Sequence, residues 1–286
     1  MAINEKVVLI VGGSGFLGGA IVQAASSSLK MFATHRSQSM FHSSIRFDLL
    51  RDDPRKLLRK INPEIDILAA HIEPLLKERS LRAGAKFFLQ CCDCRRLVYI
   101  SSDAVFDGRQ GLYDEEDPIS PVHDYGHGLA FMEAAVRRTC ADHVVVRPSY
   151  LYGFSSGRLD SRLASTRTRL LEGQKVRLFD DMYKSPLEVN QAAGIILDIA
   201  TMQFTDTVHV AGPRMSVFDF QRQGVQALGL PVDELITEKI PRDAALLRDT
   251  SLSFARMVRV TGKSPRSQFA TLSKSNALSN DRRRQQ

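Results

Sequence analysis

One stretch near the start of the chain restricts its fold more than any other. Residues 7–11 are a continuous apolar run, of the kind found in a strand buried on both faces of a parallel sheet. The run leads into glycines at positions 12, 15 and 18, after which apolar residues recur with helical spacing. A strand, a glycine turn and a helix N-terminus in this order form a diphosphate site, since the backbone can approach the phosphates and the helix offers free N–H groups. The alternative is a tight turn that binds no ligand.

The end of the second predicted strand indicates which dinucleotide would bind. Residues 30–34 are typical of a strand, and they end about 20 residues beyond the glycine turn, where such units place the group that meets the adenosine ribose. An Asp or Glu at this place accepts a hydrogen bond from a free 2′-hydroxyl, but this chain has Thr34, His35 and Arg36. The planar, permanently charged arginine favours a 2′-phosphate, so the sequence predicts NADP. A solvated loop arginine is the alternative.

Later strands supply the other expected cofactor contacts. Residues 45–49 are typical of a short third strand whose Asp48 would meet the adenine edge, and residues 65–70 form a fourth strand that ends in small side chains. Residues 97–103 form a fifth strand that runs into hydroxyls and a carboxylate at its ligand-binding end. The predicted cofactor-binding set is Gly12, Ser14, Gly15, Phe16, Leu17, His35, Arg36, Ser37, Asp48, Leu49, Ala69, Ala70, His71, Tyr125, Pro148 and Ser149.

Composition excludes several classes of protein. The 286 residues are 43% hydrophobic, enough for one large α/β domain or a main domain with a smaller lobe. No apolar run approaches the roughly 18 residues that span a bilayer, and the first ten residues lack a signal-peptide layout. Three of the four cysteines crowd together at Cys91, Cys92 and Cys94, which is not a disulfide framework. We therefore expect a cytoplasmic protein.

Neither a metal site nor a nucleic-acid surface is predicted. The cysteine cluster has no second ligand pair at a suitable spacing, and Cys140 with His143 is the one candidate. The net charge of +7 comes from scattered basic residues, apart from Arg282–Arg284 in a polar tail predicted to be disordered over residues 273–286. A polyanionic cofactor and an anionic small-molecule substrate account for this charge.

The character of the chain changes after residue 154. Arg-rich amphipathic helices at 159–172 and 191–201 alternate with short strands at 176–179 and 208–211. We therefore predict a dinucleotide-binding domain over residues 1–154 and a smaller substrate-binding lobe over residues 155–272. Whether the two interleave is left open at this point.

A series of motifs in fixed order resembles the extended short-chain dehydrogenase/reductase family, and within it the dTDP-4-dehydrorhamnose reductases. The resemblance extends to about Phe269, and it implies a doubly wound parallel Rossmann sheet with a smaller C-terminal α/β substrate lobe. It also implies hydride transfer from NAD(P)H to a ketone, often on a nucleotide-linked sugar, and a homodimer formed through surface helices. The matching pieces are 12–18, 101–103 with 105–108, 125–126 with Glu133, 147–153, 179–181 with 185–186, 209–213 and 248–252.

The resemblance assigns catalytic roles and also shows where the chain departs from its family. Ser102 would position the substrate carbonyl and Tyr125 would transfer the proton, with Asp103 as a further candidate beside them. The family lysine belongs at position 129, on the same helix face as Tyr125, but this chain has Leu129. An unassisted tyrosine has a pKa near 10, so the acid role in reduction survives while the base role in oxidation is impaired.

Two further departures concern the substrate. Ala104 stands where rhamnose-type reductases carry a tyrosine, and the chain contains no tryptophan.

Three functions therefore remain open. The first is an NADPH-dependent reductase of a ketosugar or another carbonyl compound, with an incomplete triad. The second is a catalytically silent NADP-binding regulatory or scaffold subunit, as in methionine adenosyltransferase. The third is a non-redox reaction in which Tyr125, His123 or Asp103 protonates a substrate held beside the cofactor.

Overall fold

The computed structural model describes residues 5–37, 44–92, 95–266, 269 and 271–273. A seven-stranded parallel sheet forms the centre of the molecule. Its strands are β1 (Lys6–Val11), β2 (Leu29–His35), β3 (Ile45–Arg46), β4 (Ile65–Leu68), β5 (Arg96–Ile100), β6 (His143–Pro148) and β7 (Asp206–Val210).

The order of the strands confirms the predicted doubly wound fold. Across the sheet they run β7-β6-β5-β4-β1-β2-β3, and every adjacent pair is parallel. The chain moves outward from β1 to β3 and then crosses back to add β4 on the other side of β1. This reversal leaves a crevice beyond the carboxyl ends of β1 and β4, where open α/β sheets bind their ligands.

Helices cover both faces of the sheet. The α-helices of the described residues are α1 (Phe16–Gln23), α2 (Pro54–Ile61), α3 (Arg79–Cys91), α4 (Asp124–Thr139), α5 (Ser161–Leu171), α6 (Val189–Thr201), α7 (Val217–Ala227) and α8 (Ala255–Thr261), of which α5 and α7 belong to a smaller lobe. Leu9 and Val11 pack into the core formed with α2, α3 and α4, whereas Val8 and Ile10 pack into the core formed with α1 and α6. Successive side chains of a strand point to opposite faces, so residues 7–11 of β1 are all apolar because both faces are covered.

A smaller lobe lies beside the sheet, and the structure corrects part of its predicted content. The strands Val176–Phe179 and Leu235–Glu238 pair in parallel, and α5 and α7 pack beside them. The segments at 191–201 and 208–211 were predicted to belong to this lobe, but α6 covers the main sheet and β7 is its edge strand. The assignment of these two segments to the lobe was wrong because the chain returns to the main sheet between the two lobe strands. The boundary at residue 154 stays a prediction.

Short two-stranded pairs connect the lobe to the sheet. Leu187–Glu188 pairs with Leu151–Tyr152, Phe154–Ser155 with Arg158–Leu159, and Tyr183–Lys184 with Met215–Ser216. These connections follow the carboxyl end of β6, so they bring residues 151–162 and 183–188 toward the ligand-binding edge of the sheet. The predicted third strand at 45–49 is shorter than expected, since only Ile45–Arg46 pairs with β2.

A few expectations concern segments outside the sheet. Cys91 and Cys92 are free thiols, whereas Cys94 and residues 274–286 of the predicted tail, including Arg282–Arg284, lie outside the described residues. In the described part of the chain, no helix has the combined length and hydrophobicity needed to cross a bilayer.

Candidate active site

The glycine turn after β1 brings three pieces of backbone close together. Gly12 adopts a φ of +94°, in the left-handed region that favours glycine. A Cβ at Gly12 would lie 2.7 Å from the Ala70 Cα, and one at Gly18 would lie 2.2 Å from the Gly12 carbonyl oxygen. The glycines therefore allow β1, β4 and the start of α1 to approach closely. Among the described residues, no side chain caps α1, so its N-terminus can receive phosphate oxygens.

Two adjoining cavities form one groove across the carboxyl ends of the central strands. The cavity toward β2 measures about 310 Å³ and the cavity toward β5 about 560 Å³. Both are lined by residues 14–17 of the glycine turn and by residues 69–71 after β4. A dinucleotide whose diphosphate lay on the shared wall would therefore place one nucleoside in each cavity.

The cavity toward β2 contains most of the residues predicted to bind adenosine. Thr34, Arg36, Ser37, Asp48 and Leu49 all line it. The Thr34 hydroxyl accepts a hydrogen bond of 3.1 Å from the Gly12 N–H, which ties the end of β2 to the glycine turn. The Arg36 side chain is exposed at the rim, where a 2′-phosphate would project.

The two other polar residues at this end have local partners. His35 lies with its Nδ1 atom 2.8 Å from the Ser44 hydroxyl. Asp48 accepts a hydrogen bond of 3.0 Å from the Leu50 N–H, so part of its carboxylate stabilises the turn after β3. The structure thus brings Arg36 and Ser37 to the groove and turns His35 toward the neighbouring loop.

Ser102 and Tyr125 come together in the larger cavity. Ser102 follows β5 and Tyr125 is the second residue of α4; both line the cavity with Pro148 and Ser149. The Ser102 hydroxyl donates to Asp103 Oδ1 at 2.9 Å. His123 begins α4 by accepting a hydrogen bond of 3.1 Å from the Gly126 N–H at its Nδ1 atom. This N-cap fixes the helix start that carries the phenol.

The surroundings of Tyr125 keep its phenol protonated. Burial raises the pKa of Tyr125 well above its usual value, and the nearby Glu73 carboxylate raises it further, whereas a hydrogen bond with Ser102 opposes the shift. The His71 ring lies 5.0 Å from the Tyr125 ring, between centroids, and covers part of it. The phenol can therefore supply a proton throughout the neutral range but is a poor base there.

Leu129 stands at the position where the resemblance predicts a lysine, and its aliphatic side chain is buried there. Only 1% of this residue is exposed, and it packs in the core with Met132, Phe88 and Val105. The next turn of α4 therefore offers the phenol an aliphatic neighbour in place of an ammonium group.

Asp103 points away from the groove into a buried polar cluster. Its Oδ2 atom accepts hydrogen bonds from Lys184 Nζ at 3.1 Å, Thr250 Oγ1 at 2.6 Å and Ser149 Oγ at 3.2 Å. Burial alone would raise the pKa of Asp103, but the Lys184 ammonium and these hydrogen bonds hold it below its usual value. Asp103 is thus ionised, and its carboxylate binds both the Ser102 hydroxyl and the Lys184 ammonium group.

Glu73 is a site residue that sequence reasoning missed. It follows β4, its side chain lines the larger cavity, and only 2% of the residue is exposed. The Tyr99 hydroxyl donates a hydrogen bond of 2.9 Å to its Oε1 atom. Burial raises the pKa of Glu73 to about 7. The one available signal was an acidic residue that closely follows the small side chains at the end of β4.

Residues 158–162 form the outer wall of the larger cavity and were also missed. The segment contributes Arg158 and Arg162 to the lining. Arg158 donates to the Ser14 carbonyl at 3.2 Å, and the Arg162 guanidinium lies 4.1 Å from the Tyr150 ring centroid. Two guanidinium groups facing one cavity favour an anionic ligand.

Comparison with known proteins identifies the family. The sequence model described as RmlD substrate binding domain matches residues 6–278. A probable low-salt glycan biosynthesis reductase of Haloferax volcanii is 31% identical over 172 residues, or 57% of this chain, and the match spans 52% of that relative. Methionine adenosyltransferase 2 subunit beta of Danio rerio is 25% identical over 248 residues, covering 80% of this chain and 76% of that protein.

Solved structures show the same architecture. A hypothetical dTDP-4-dehydrorhamnose reductase from Sulfolobus tokodaii has a TM-score of 0.77 at 25% identity, covering 90% of this chain and 96% of that one. The dTDP-4-dehydrorhamnose reductase of Bacillus anthracis in complex with NADP has a TM-score of 0.77 at 22% identity, covering 94% and 97%. The family model spans nearly the whole chain, and this chain therefore belongs to the RmlD substrate binding domain family of extended short-chain dehydrogenase/reductases.

Proposed function

We propose that this protein is an NADPH-dependent carbonyl reductase in which Tyr125 donates the proton and Ser102 holds the carbonyl oxygen. The observation that carries the proposal is a protonated phenol in a cavity continuous with a dinucleotide groove. The same cavity contains the Ser102 hydroxyl, whose one O–H can turn from Asp103 to a bound carbonyl, so two hydrogen-bond donors can meet one carbonyl oxygen.

The groove fits NADP(H) at both ends. The glycines at 12 and 18 let β1, β4 and α1 pack closely, and the start of α1 can receive the diphosphate. Arg36 at the rim would pair with the 2′-phosphate. When bound, NADPH supplies the hydride that reduces a carbonyl carbon. The NADP complex of the Bacillus anthracis structure supports this choice of cofactor.

The protein's own groups then act on the carbonyl oxygen. The Ser102 hydroxyl orients that oxygen, and the Tyr125 Oη–H transfers its proton to it as the C–O bond becomes a single bond. In the structure the Ser102 O–H donates to Asp103 Oδ1 at 2.9 Å, so it would leave that acceptor for the carbonyl oxygen of a bound substrate. Because Leu129 provides no cation to stabilise a phenolate, the reverse reaction lacks a base and the site favours reduction.

The cavity wall indicates the substrate class. Arg158 and Arg162 would hold an anionic group, which suits the phosphate of a sugar nucleotide whose ketone reaches Tyr125. The dTDP-4-dehydrorhamnose reductase of Salmonella typhimurium, 27% identical over 143 residues, supports a ketosugar. Ala104 is buried in the core and lines neither cavity, so the identity of the sugar stays open.

A second candidate is a silent NADP-binding subunit that regulates or supports a partner enzyme. Leu129 favours it, because the group that normally lowers the tyrosine pKa is replaced by a buried aliphatic chain. The similarity to the Danio rerio subunit beta, over 80% of this chain, supports it as well.

Cofactor choice can be tested by calorimetry with NADPH and NADH. We expect NADPH to bind more tightly, and Arg36→Ala to weaken NADPH binding by roughly tenfold or more, because a charge-assisted contact is lost. NADH binding should stay unchanged, and Arg59→Ala on the exposed face of α2 is the matched control. Equal affinities for the two cofactors would contradict the role given to Arg36.

The reductase and the silent subunit are separated by turnover. The wild-type protein is incubated with NADPH and a panel of 4-keto sugar nucleotides, keto sugars and simple ketones, and NADPH absorbance is followed. Consumption that requires one of these carbonyls supports the reductase. Tight NADPH binding with no consumption across the panel would favour the silent subunit.

A further inference from the structure

Glu73 occupies an unusual position between the sheet and α4. It begins a single turn of 3₁₀ helix, Glu73–Leu75, directly beyond β4. A Cβ at Gly128 would lie 2.3 Å from the Glu73 carbonyl oxygen, so this turn presses against the second turn of α4. The carboxyl group is buried, yet it lines the same cavity as Tyr125.

The groups that face this carboxyl come from three directions. His71, two residues earlier, has its Nδ1 atom 3.8 Å from Glu73 Oε2. Tyr99 from β5 donates to Oε1, and Tyr125 from α4 lines the same cavity, with its ring 5.0 Å from the His71 ring between centroids. Glu133 lies behind Tyr99 and is itself paired with Arg147 at 2.7 Å. Among the described residues, Glu73 has no lysine or arginine within salt-bridge distance.

We propose that Glu73 is a positioning residue for the proton donor, because its own protonation sets the charge beside the Tyr125 phenol. This inference rests on the proposed role of Tyr125 as the acid. Leu129 stands where the resemblance leads one to expect an ammonium group, and the phenol has the Glu73 carboxyl on another side of the same cavity.

The sign of the effect follows from electrostatics. An ionised Glu73 disfavours a nearby phenolate, so it raises the pKa of Tyr125 and makes the phenol a weaker donor. A protonated Glu73 removes that penalty. Burial raises the pKa of Glu73 to about 7, so reduction should slow as pH rises through the neutral range.

The test uses the full-length protein without cofactor, so it does not depend on turnover. Tyrosine labelled with ¹³C at Cζ is incorporated, and its resonances are followed by NMR across the neutral pH range. The signals absent from Tyr125→Phe and Tyr99→Phe identify the two residues. We expect both resonances to shift with a common inflection near the pKa of Glu73. A shift at Tyr99 with none at Tyr125 would overturn the proposal.

Three variants identify the group responsible. Glu73→Gln keeps the size of the side chain and can still accept from Tyr99, so it should remove the inflection at Tyr125. Tyr99→Phe removes a hydrogen bond that lowers the pKa of Glu73, so the inflection should move to higher pH. His71→Gln should leave it in place. An inflection that survives Glu73→Gln, or disappears in His71→Gln, would overturn the proposal.

Activity then distinguishes this inference from the proposed function. In a working reductase, the alkaline decline in rate should be present in the wild-type protein and absent from Glu73→Gln. Turnover whose decline persists in Glu73→Gln would overturn the inference alone. The predicted NMR inflection in a protein that reduces no carbonyl would instead contradict the proposed function and leave the link between Glu73 and Tyr125 established.

Discussion

Leu129 lies one helical turn beyond Tyr125, at the position where the resemblance to the family leads one to expect a lysine. Its side chain is buried in the core under α4, so the phenol has no cation on that side. Burial and the Glu73 carboxyl both raise the pKa of Tyr125. At the level of single residues, these neighbours keep the phenol protonated at neutral pH and disfavour its phenolate.

Restoring the lysine should have two opposite effects. Leu129→Lys puts an ammonium group into a hydrocarbon environment, so it should reduce the free energy of unfolding by about 3 kcal/mol. The same charge should stabilise the phenolate and raise the rate of alcohol oxidation. Urea denaturation and NADPH formation measure the two effects. Leu129→Met conserves volume and should change neither the free energy of unfolding nor the oxidation rate by much. A Leu129→Lys protein that is as stable as wild type and oxidises alcohols no faster would contradict the account.

Glu73 should make stability depend on pH. Its pKa is raised from 4.5 to about 7 by burial, so between these values the folded protein binds more protons than the unfolded chain. The stabilisation is complete below the unfolded pKa and is lost as pH rises through the folded pKa, with a difference of roughly 3 kcal/mol at most.

Glu73→Gln should remove this loss. Denaturation at about pH 4 and about pH 8 should show the variant gaining stability relative to wild type at the higher pH, because the amide never ionises. Glu64→Gln, which changes an exposed carboxylate, is the control. A difference between Glu73→Gln and wild type that is the same at both pH values would show that Glu73 ionises as freely in the folded protein as in the unfolded chain.

At the scale of elements, close contact between α4 and the two short turns before it positions the phenol. A Cβ at Gly126 would lie 2.4 Å from the Ala104 carbonyl oxygen, and one at Gly128 would lie 2.3 Å from that of Glu73. The helix carrying Tyr125 therefore rests directly on the backbone that follows β4 and β5. Its first turn is held by the His123 cap.

Gly128→Ala tests this contact. The added methyl overlaps a backbone oxygen, so the variant should lose about 1–3 kcal/mol of stability and displace Glu73 from Tyr125. Gly194→Ala on α6 is the matched control, because no described atom lies within 4 Å of its added Cβ. That control should be neutral or stabilising by about 0.5–1 kcal/mol, as expected for alanine in a helix. Equal thermal unfolding of the two variants would contradict the close packing of α4.

Sequence reasoning succeeded where the signal is local. The strand, glycine turn and helix at residues 6–23 are predictable because burial, turn and helix start follow one another along the chain. Ser102 and Tyr125 were predicted from their motifs, and the structure brings both to the larger cavity. Glu73 was missed because its importance depends on contacts with Tyr99 and Tyr125, which are distant in sequence.

Other features were missed for the same reason. Arg158 and Arg162 face the cavity because the short strands after β6 fold back over it. Lys184 meets Asp103 across 81 positions, so no spacing rule connects them. β7 was assigned to the lobe because its neighbours in sequence belong there, although its pairing with β6 is non-local.

For the whole molecule, the buried pair of Asp103 and Lys184 ties the end of β5 to the segment that leads into the lobe. Asp103 also binds Thr250, from the chain that returns after the lobe strands. One carboxylate thus joins three distant parts of the chain beside the active site. We expect it to maintain the relative placement of the sheet and the cavity wall.

Lys184→Ala should therefore destabilise the protein strongly. It leaves the Asp103 carboxylate buried without its cation, which costs about 3–5 kcal/mol. Lys239→Ala removes a second lysine-aspartate pair, but that lysine is largely exposed, so its unfolding should match wild type. The free energies of unfolding of the two variants are compared by guanidinium denaturation. If Lys184→Ala lost as little stability as Lys239→Ala, the buried cluster would not be needed for stability.

The most direct test of the central claim is a single-turnover measurement of the chemical step. Protein loaded with NADPH is mixed rapidly with a carbonyl substrate from the panel, and NADPH oxidation is followed for wild type and Tyr125→Phe. If Tyr125 is the proton donor, wild type should oxidise bound NADPH and the variant should be slower by roughly 100-fold or more while binding NADPH equally well. Equal rates in the two proteins would contradict the account.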